Sequence, residues 1–284
     1  MLRAGQDAVD ALLRLRTGQP ADELLDSASR RLRQTDDAEL ARRMELGWCV
    51  GGVFFESERS PAAQEVFGRM LRLANGTRQE HLLTQCNIML ALTSLWMLEL
   101  DSALAHAEAA EEVAWLQHVE HQIARALTTQ ALVLLQRGER SEAERAAAES
   151  EAINVRLEPS MFISSSHARN ATVLWADDPQ RLLRELEAMP ELHRRIASIV
   201  LCELVDAAIA AGRHEDAQRW TQPIAERAER LHLPLTAARA GRCQAALLLA
   251  RNEPLAAAEM ALATAQQAPA GSQTSRSPGR CSSP

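Results

Sequence analysis

Between Ala124 and Leu157, apolar residues recur three and four positions apart, stop at a glycine, and resume. Leu127, Ala131, Leu134 and Leu135 fall on one face of a helix, because 3.6 residues complete a turn. Gly138 ends that helix, since glycine enters a left-handed cap without a Cβ penalty. Ser141 is placed to cap a second helix, whose inner face carries Ala143, Ala147 and Ile153. The predicted unit is an antiparallel helical hairpin whose small residues let its two helices approach closely.

The unit recurs along the chain. Positions equivalent to Ala143 are Leu24, Ala63, Ala103, Leu182, Ala217 and Ala256, and successive markers are 39, 40, 40, 39, 35 and 39 residues apart. Pro61, Pro179 and Pro254 stand where second helices are expected to begin, a position that tolerates a missing N–H. The fold class that follows is all-α: a superhelix of about seven antiparallel helical hairpins, forming one domain over residues 1–267. Gly47, Gly51 and Gly52 fall inside the first helix of hairpin two, and close helix packing would offset their poor propensity. The second helix of hairpin five is expected to end near Met189-Pro190, and hairpin six to run from Leu192 to Leu231. Neighbour-only contacts would make stability a sum over hairpins and their interfaces. From Ala268 the chain turns to serine, proline and glycine, so residues 268–284 are expected to be a disordered tail.

Composition narrows the function. All 31 residues of the Lys+Arg total are arginine, so no lysine is available as a phosphate-loop, Schiff-base or general-base group. Net charge is -7, which opposes direct nucleic-acid binding by this chain alone. The five cysteines, at 49, 86, 202, 243 and 281, lack redox or zinc spacing; the four in helical segments are expected to be small buried residues. The N-terminus has no apolar signal core, and no run is long enough to span a bilayer, so a cytoplasmic location is expected.

The pairs Ala91 with Ala103, and Ala131 with Ala143, place small residues twelve positions apart across a turn. With phrases such as L-Q-R-G-E-R-S-E-A-E-R-A and I-A-A-G-R-H-E-D-A-Q-R-W, the hairpins resemble tetratricopeptide repeats. The period of 39 or 40, with arginine- and alanine-rich helices over roughly residues 40–267, is similar to the repeat region of large ATP-binding LuxR-type bacterial transcriptional regulators. That resemblance implies a sensor or protein-interaction role. The chain departs from the family at both ends: it has no G-x-x-x-x-G-K-[ST] loop and no helix-turn-helix module. Neither ATP hydrolysis nor DNA binding is therefore carried over.

Candidate chemistry is sparse. His118, Glu120 and His121 form the densest histidine cluster, but their order is not a zinc helix signature, and a solvated turn is the simpler reading. The string S-S-S-H at 164–167 has no evident acid or oxyanion donor, so capping or surface polarity is expected. Acidic runs at Glu108–Glu112 and Glu142–Glu151 read as solvated faces of second helices. No catalytic residue, metal or cofactor is assigned, and no enzyme is expected.

First helices line the concave side of a tetratricopeptide superhelix. Projection puts Trp48, Phe55, Gln85, Ile88, Arg125, Thr128, Trp175 and Asp206 near that side. Aromatic walls with a few polar anchors suit a protein segment or small-molecule effector, although Trp48 and Trp175 also fit as packing between hairpins. The expected function is a non-catalytic binding module, the sensor or interaction region of a LuxR-type regulator or a truncated relative. A stand-alone scaffold for protein assembly is the alternative, and self-association is open in either case.

Overall fold

The computed structural model describes residues 1–188 and 200–267. These residues form fifteen α-helices and no strand. Hairpin one is α1 (Leu2–Arg16) with α2 (Asp22–Gln34). A short helix, α3 (Asp37–Ala41), leads into hairpin two, α4 (Met44–Glu56) with α5 (Ser60–Thr77). Then come α6 (Leu83–Trp96) with α7 (Leu100–Gln117), and α8 (Glu120–Arg137) with α9 (Arg140–Asn154). Hairpin five is α10 (Met161–Leu174) with α11 (Pro179–Glu187), and six is α12 (Leu201–Ala210) with α13 (His214–Arg230). Hairpin seven is α14 (Pro234–Ala250) with α15 (Pro254–Gln267). The described residues form a tetratricopeptide-like superhelix of seven hairpins. The boundaries expected at Met189-Pro190 and Leu192, and the tail 268–284 with Cys281, lie outside the described residues.

One position recurs in every unit. The fourth residue of each second helix is buried: Leu25, Ala63, Ala103, Ala143, Leu182, Ala217 and Ala257. Its amide donates to the residue just before the helix, closing the first turn. Leu24 and Ala256 are each one position away from this register. Proline explains the slip at Ala256. Pro61 is the second residue of α5, whereas Pro254 is the first of α15. Both positions have free N–H groups in a helix, so proline does not tell them apart.

The turns repeat too. Glu58, Leu98, Gly138, Gly212 and Asn252 each lie two residues before a second helix, and all have positive φ. Only two are glycine, so the other three carry a left-handed conformation at a cost of roughly 1 kcal/mol each. Hairpin five instead uses Asp178, whose side chain accepts from the Arg181 amide at 2.9 Å. Ser141 lies within the first turn of α9 and does not cap it; the cap position is Glu139.

Two of the three glycines in α4 are contact points. A Cβ on Gly51 would lie 2.7 Å from the buried Phe67 ring, and one on Gly47 would lie 2.9 Å from Leu40. Gly52 faces open space. Gly51→Ala should therefore destabilise the chain by about 1–3 kcal/mol through overpacking, read from denaturant midpoints, while Gly52→Ala should not.

First helices pack on first helices: α1 on α4, α6 on α8, α8 on α10, α12 on α14. No comparable packing joins the second helices among the described residues. At these four junctions the first helices are the more closely packed side of the array. The curve also closes on itself, which overturns the expectation of neighbour-only contacts. Ala228, Leu231 and Leu233, at the junction of α13 and α14, share one core with hairpins one and two. His232 Nδ1 lies 3.3 Å from Asp22, and Glu58 accepts from the amides of Leu235 at 2.6 Å and Thr236 at 2.8 Å.

A candidate ligand groove on the inner face

The inner wall begins on α4, where Trp48, Gly52 and Phe55 share a face by their spacing of four and three. Phe55 stacks on Trp96, at the end of α6, with ring centroids 4.0 Å apart and planes 15° apart. Trp48 meets Phe67 edge-to-face, with ring centroids 5.3 Å apart, so it is partly committed to packing. From across the closed curve, the Arg239 guanidinium of α14 lies 5.6 Å from the Trp96 ring centroid. Rings from hairpins two and three thus meet a cation from hairpin seven.

Two further arginines lie on the first helices between them. Arg125 of α8 sits 4.7 Å above the exposed Phe162 ring of α10. Arg169, also on α10, has an Nε shielded from solvent with no hydrogen-bond partner. Burial holds both guanidinium pKa values down at about 10, and at Arg169 the charges of Arg125 and Arg239 add to the effect. Both remain cationic at neutral pH. On α12, burial raises the Glu203 carboxyl pKa against the opposing pull of Arg239 and Arg242.

The remaining projected residues do not join this group. Ile88 and Thr128 are each 1% exposed. The first is enclosed because α6 packs against α5, α7 and α8. Thr128 is held by Ser150 of α9 at 2.9 Å, and Ser150 also donates to the Ala124 carbonyl at 2.8 Å. These two positions are core, not groove. Gln85 is half-buried on α6. Trp175 follows the end of α10 and lies under the Arg181 guanidinium, at 3.3 Å, in the turn of hairpin five. Asp206 pairs with Arg242 at 3.0 Å and borders a separate shallow depression with Ile209 and Leu249.

Trp96, Phe162, Arg169, Glu203 and Arg239 were not singled out from the sequence. Arg169 had a signal, as a lone charge in the otherwise uncharged stretch A-R-N-A-T-V-L. Arg239 had none, because only closure of the curve brings it to Trp96.

His167 has more company than its sequence showed. Its Nδ1 meets Glu151 and its Nε2 lies 3.8 Å from Glu185, while Asn170 reaches Ser150 at 3.0 Å. The Glu151 hydrogen bond raises the His167 pKa despite burial. Both ring nitrogens face carboxylates, so no hydroxyl is activated, and the network joins hairpins four and five. Glu151 accordingly leaves the solvated acidic face expected for α9. His118 is the left-handed residue ending α7, and no group able to hold a metal occurs among the described residues. Cys86 and Cys243 are buried, Cys202 is partly so, and Cys49 is exposed, contrary to the expectation of four buried thiols. No described helix is long and apolar enough to cross a membrane.

No family model and no curated protein sequence matches the chain. Solved structures do. The apo form of RapI superposes with a TM-score of 0.62 at 14% identity, covering 93% of this chain and 97% of that one. The fold is similar to that of the Rap proteins. A Rap protein complexed with Competence and Sporulation Factor gives a TM-score of 0.60 at 11% identity, over 87% of this chain and 74% of that one. The Rap conjugation gene regulator of plasmid pLS20, in complex with the Phr* peptide, gives 0.57 at 15% identity, over 93% and 71%.

Proposed function

We propose that this chain is a non-catalytic regulatory binding module that takes a peptide effector on its inner face. The observation carrying the reading is the convergence there of the Phe55–Trp96 stack with Arg239, beside Arg125 and Arg169. Apolar rings with a few polar groups are what a ligand groove needs. The Rap protein and the pLS20 regulator, similar in fold, are described in complex with Competence and Sporulation Factor and the Phr* peptide. The narrower assignment, to the sensor region of a LuxR-type regulator, rests on the repeat period of 39 or 40 and the composition of the helices.

The reading is tested by affinity selection from a pool of random short peptides. Trp96→Ala should weaken retention at least tenfold without unfolding the array. Glu144→Ala removes an exposed pair with Arg140 and should do little. Loss of retention through the Glu144 change alone would place binding elsewhere.

A further inference from the structure

Arg125 and Arg169 stand on adjacent first helices, α8 and α10, that pack on each other. Several other arginines of the array have an acid beside them. Arg59 reaches Asp22, Arg140 reaches Asp177, Arg213 reaches Glu187 and Arg242 reaches Asp206. Arg239 is flanked by Glu58 and Glu203. Among the described residues, neither Arg125 nor Arg169 has a carboxylate partner. Arg125 is stacked on Phe162, and the shielded Arg169 Nε donates to nothing.

Two like charges drawn from water toward each other oppose folding. A small neutral residue at 169 would be better for stability alone. Guanidinium forks on adjacent helices match an oxyanion, which they can hold through paired, charge-assisted hydrogen bonds. The chain's net charge of -7 disfavours a polyanion, so the acceptor is a single anionic group on a small ligand. The neighbouring rings, Phe162 beside Arg125 and the Phe55–Trp96 stack beside Arg239, suit apolar side chains on that ligand.

We propose that Arg125 and Arg169 form a receptor for a carboxylate of the bound peptide, supplied by its C-terminus or by an acidic side chain. This rests on the peptide-groove reading above and specifies the charge of the effector.

Three random short-peptide pools are compared on the full chain: free C-termini, amidated C-termini, and amidated C-termini without Asp or Glu. The third should be retained at least tenfold less than the first. Retention of the second would assign the carboxylate to a side chain; its loss would assign it to the C-terminus. Arg169→Gln and Arg125→Gln should each reduce retention of the first pool at least tenfold. The Tm of Arg169→Gln should equal or exceed that of the parent, because a repulsion is removed, and the Arg125 change gives a second readout if the first misfolds. Equal retention of all three pools, indifferent to both arginine changes, would sink the carboxylate receptor while leaving the groove. No retention of any pool would overturn both. Competition by inorganic phosphate at concentrations where acetate has no effect would replace the carboxylate with a phosphoryl group.

Discussion

Ala143→Trp is expected to destabilise the chain by about 3 kcal/mol or more, and to lower Tm by about 6 °C or more. Ala143 is fully buried as the fourth residue of α9, facing Ala131 and Leu134 of α8 within one apolar cluster. Ala143 is 0% exposed at this close-packed crossing, so an indole forces the helices apart, and α8 also supports α7 and α10. Thermal unfolding followed by circular dichroism measures the effect. An unchanged Tm would mean that the recurrent small position is not where hairpins lock. Glu144→Ala, on the outside of the same helix, serves as the control and should leave Tm nearly unchanged.

Glu58→Ala should cost about 2 kcal/mol and open the curve. The left-handed Glu58 backbone aims its carboxylate at the N-terminus of α14, where it accepts from two main-chain amides and the Thr236 hydroxyl. A negative group is favoured there, since first-turn amides are unpaired and the helix dipole is positive. Burial nevertheless raises its pKa above the usual 4.5, against those hydrogen bonds. A raised folded-state pKa means folding takes up protons through this group, so its contribution is fullest below pH 4.5 and declines as pH rises through the raised value. Denaturant unfolding of parent and variant should therefore show a smaller difference at pH 7 than at pH 4.5. Small-angle scattering should show a larger radius of gyration for the variant. An unchanged radius would mean that the apolar contacts of Leu231 and Leu233 hold the seam unaided.

Much of the fold was legible because its signals are local. Gly138 and the alanines at 63, 103, 143 and 217 report a helix crossing through size alone, and size is read without neighbours. The register failed by one at Leu24 and Ala256 because the surrounding prolines and leucines satisfy more than one helical position. Three left-handed turns went unnoticed because Glu58, Leu98 and Asn252 do not announce positive φ as glycine does. The groove was legible only in part. Phe55 and Arg125 stand out by type on an inward face. Thr128 and Ile88 carry the same pattern, yet a second helix covers one and neighbouring hairpins enclose the other. Arg239 and Trp96 are 143 positions apart in the chain, and no periodicity links them.

Closure between hairpins six and seven and hairpins one and two gives the array no free beginning. In an open solenoid, terminal repeats fray first, and amide hydrogens there exchange with solvent long before those at the centre. Here α1 and α2 are sheltered from both sides, by α4 and by the junction of α13 and α14. Exchange protection should therefore be nearly as high in hairpin one as in hairpin four, and fall off instead along α15. Under mechanical load the same clasp would give way as one event, before any hairpin peels from its neighbour.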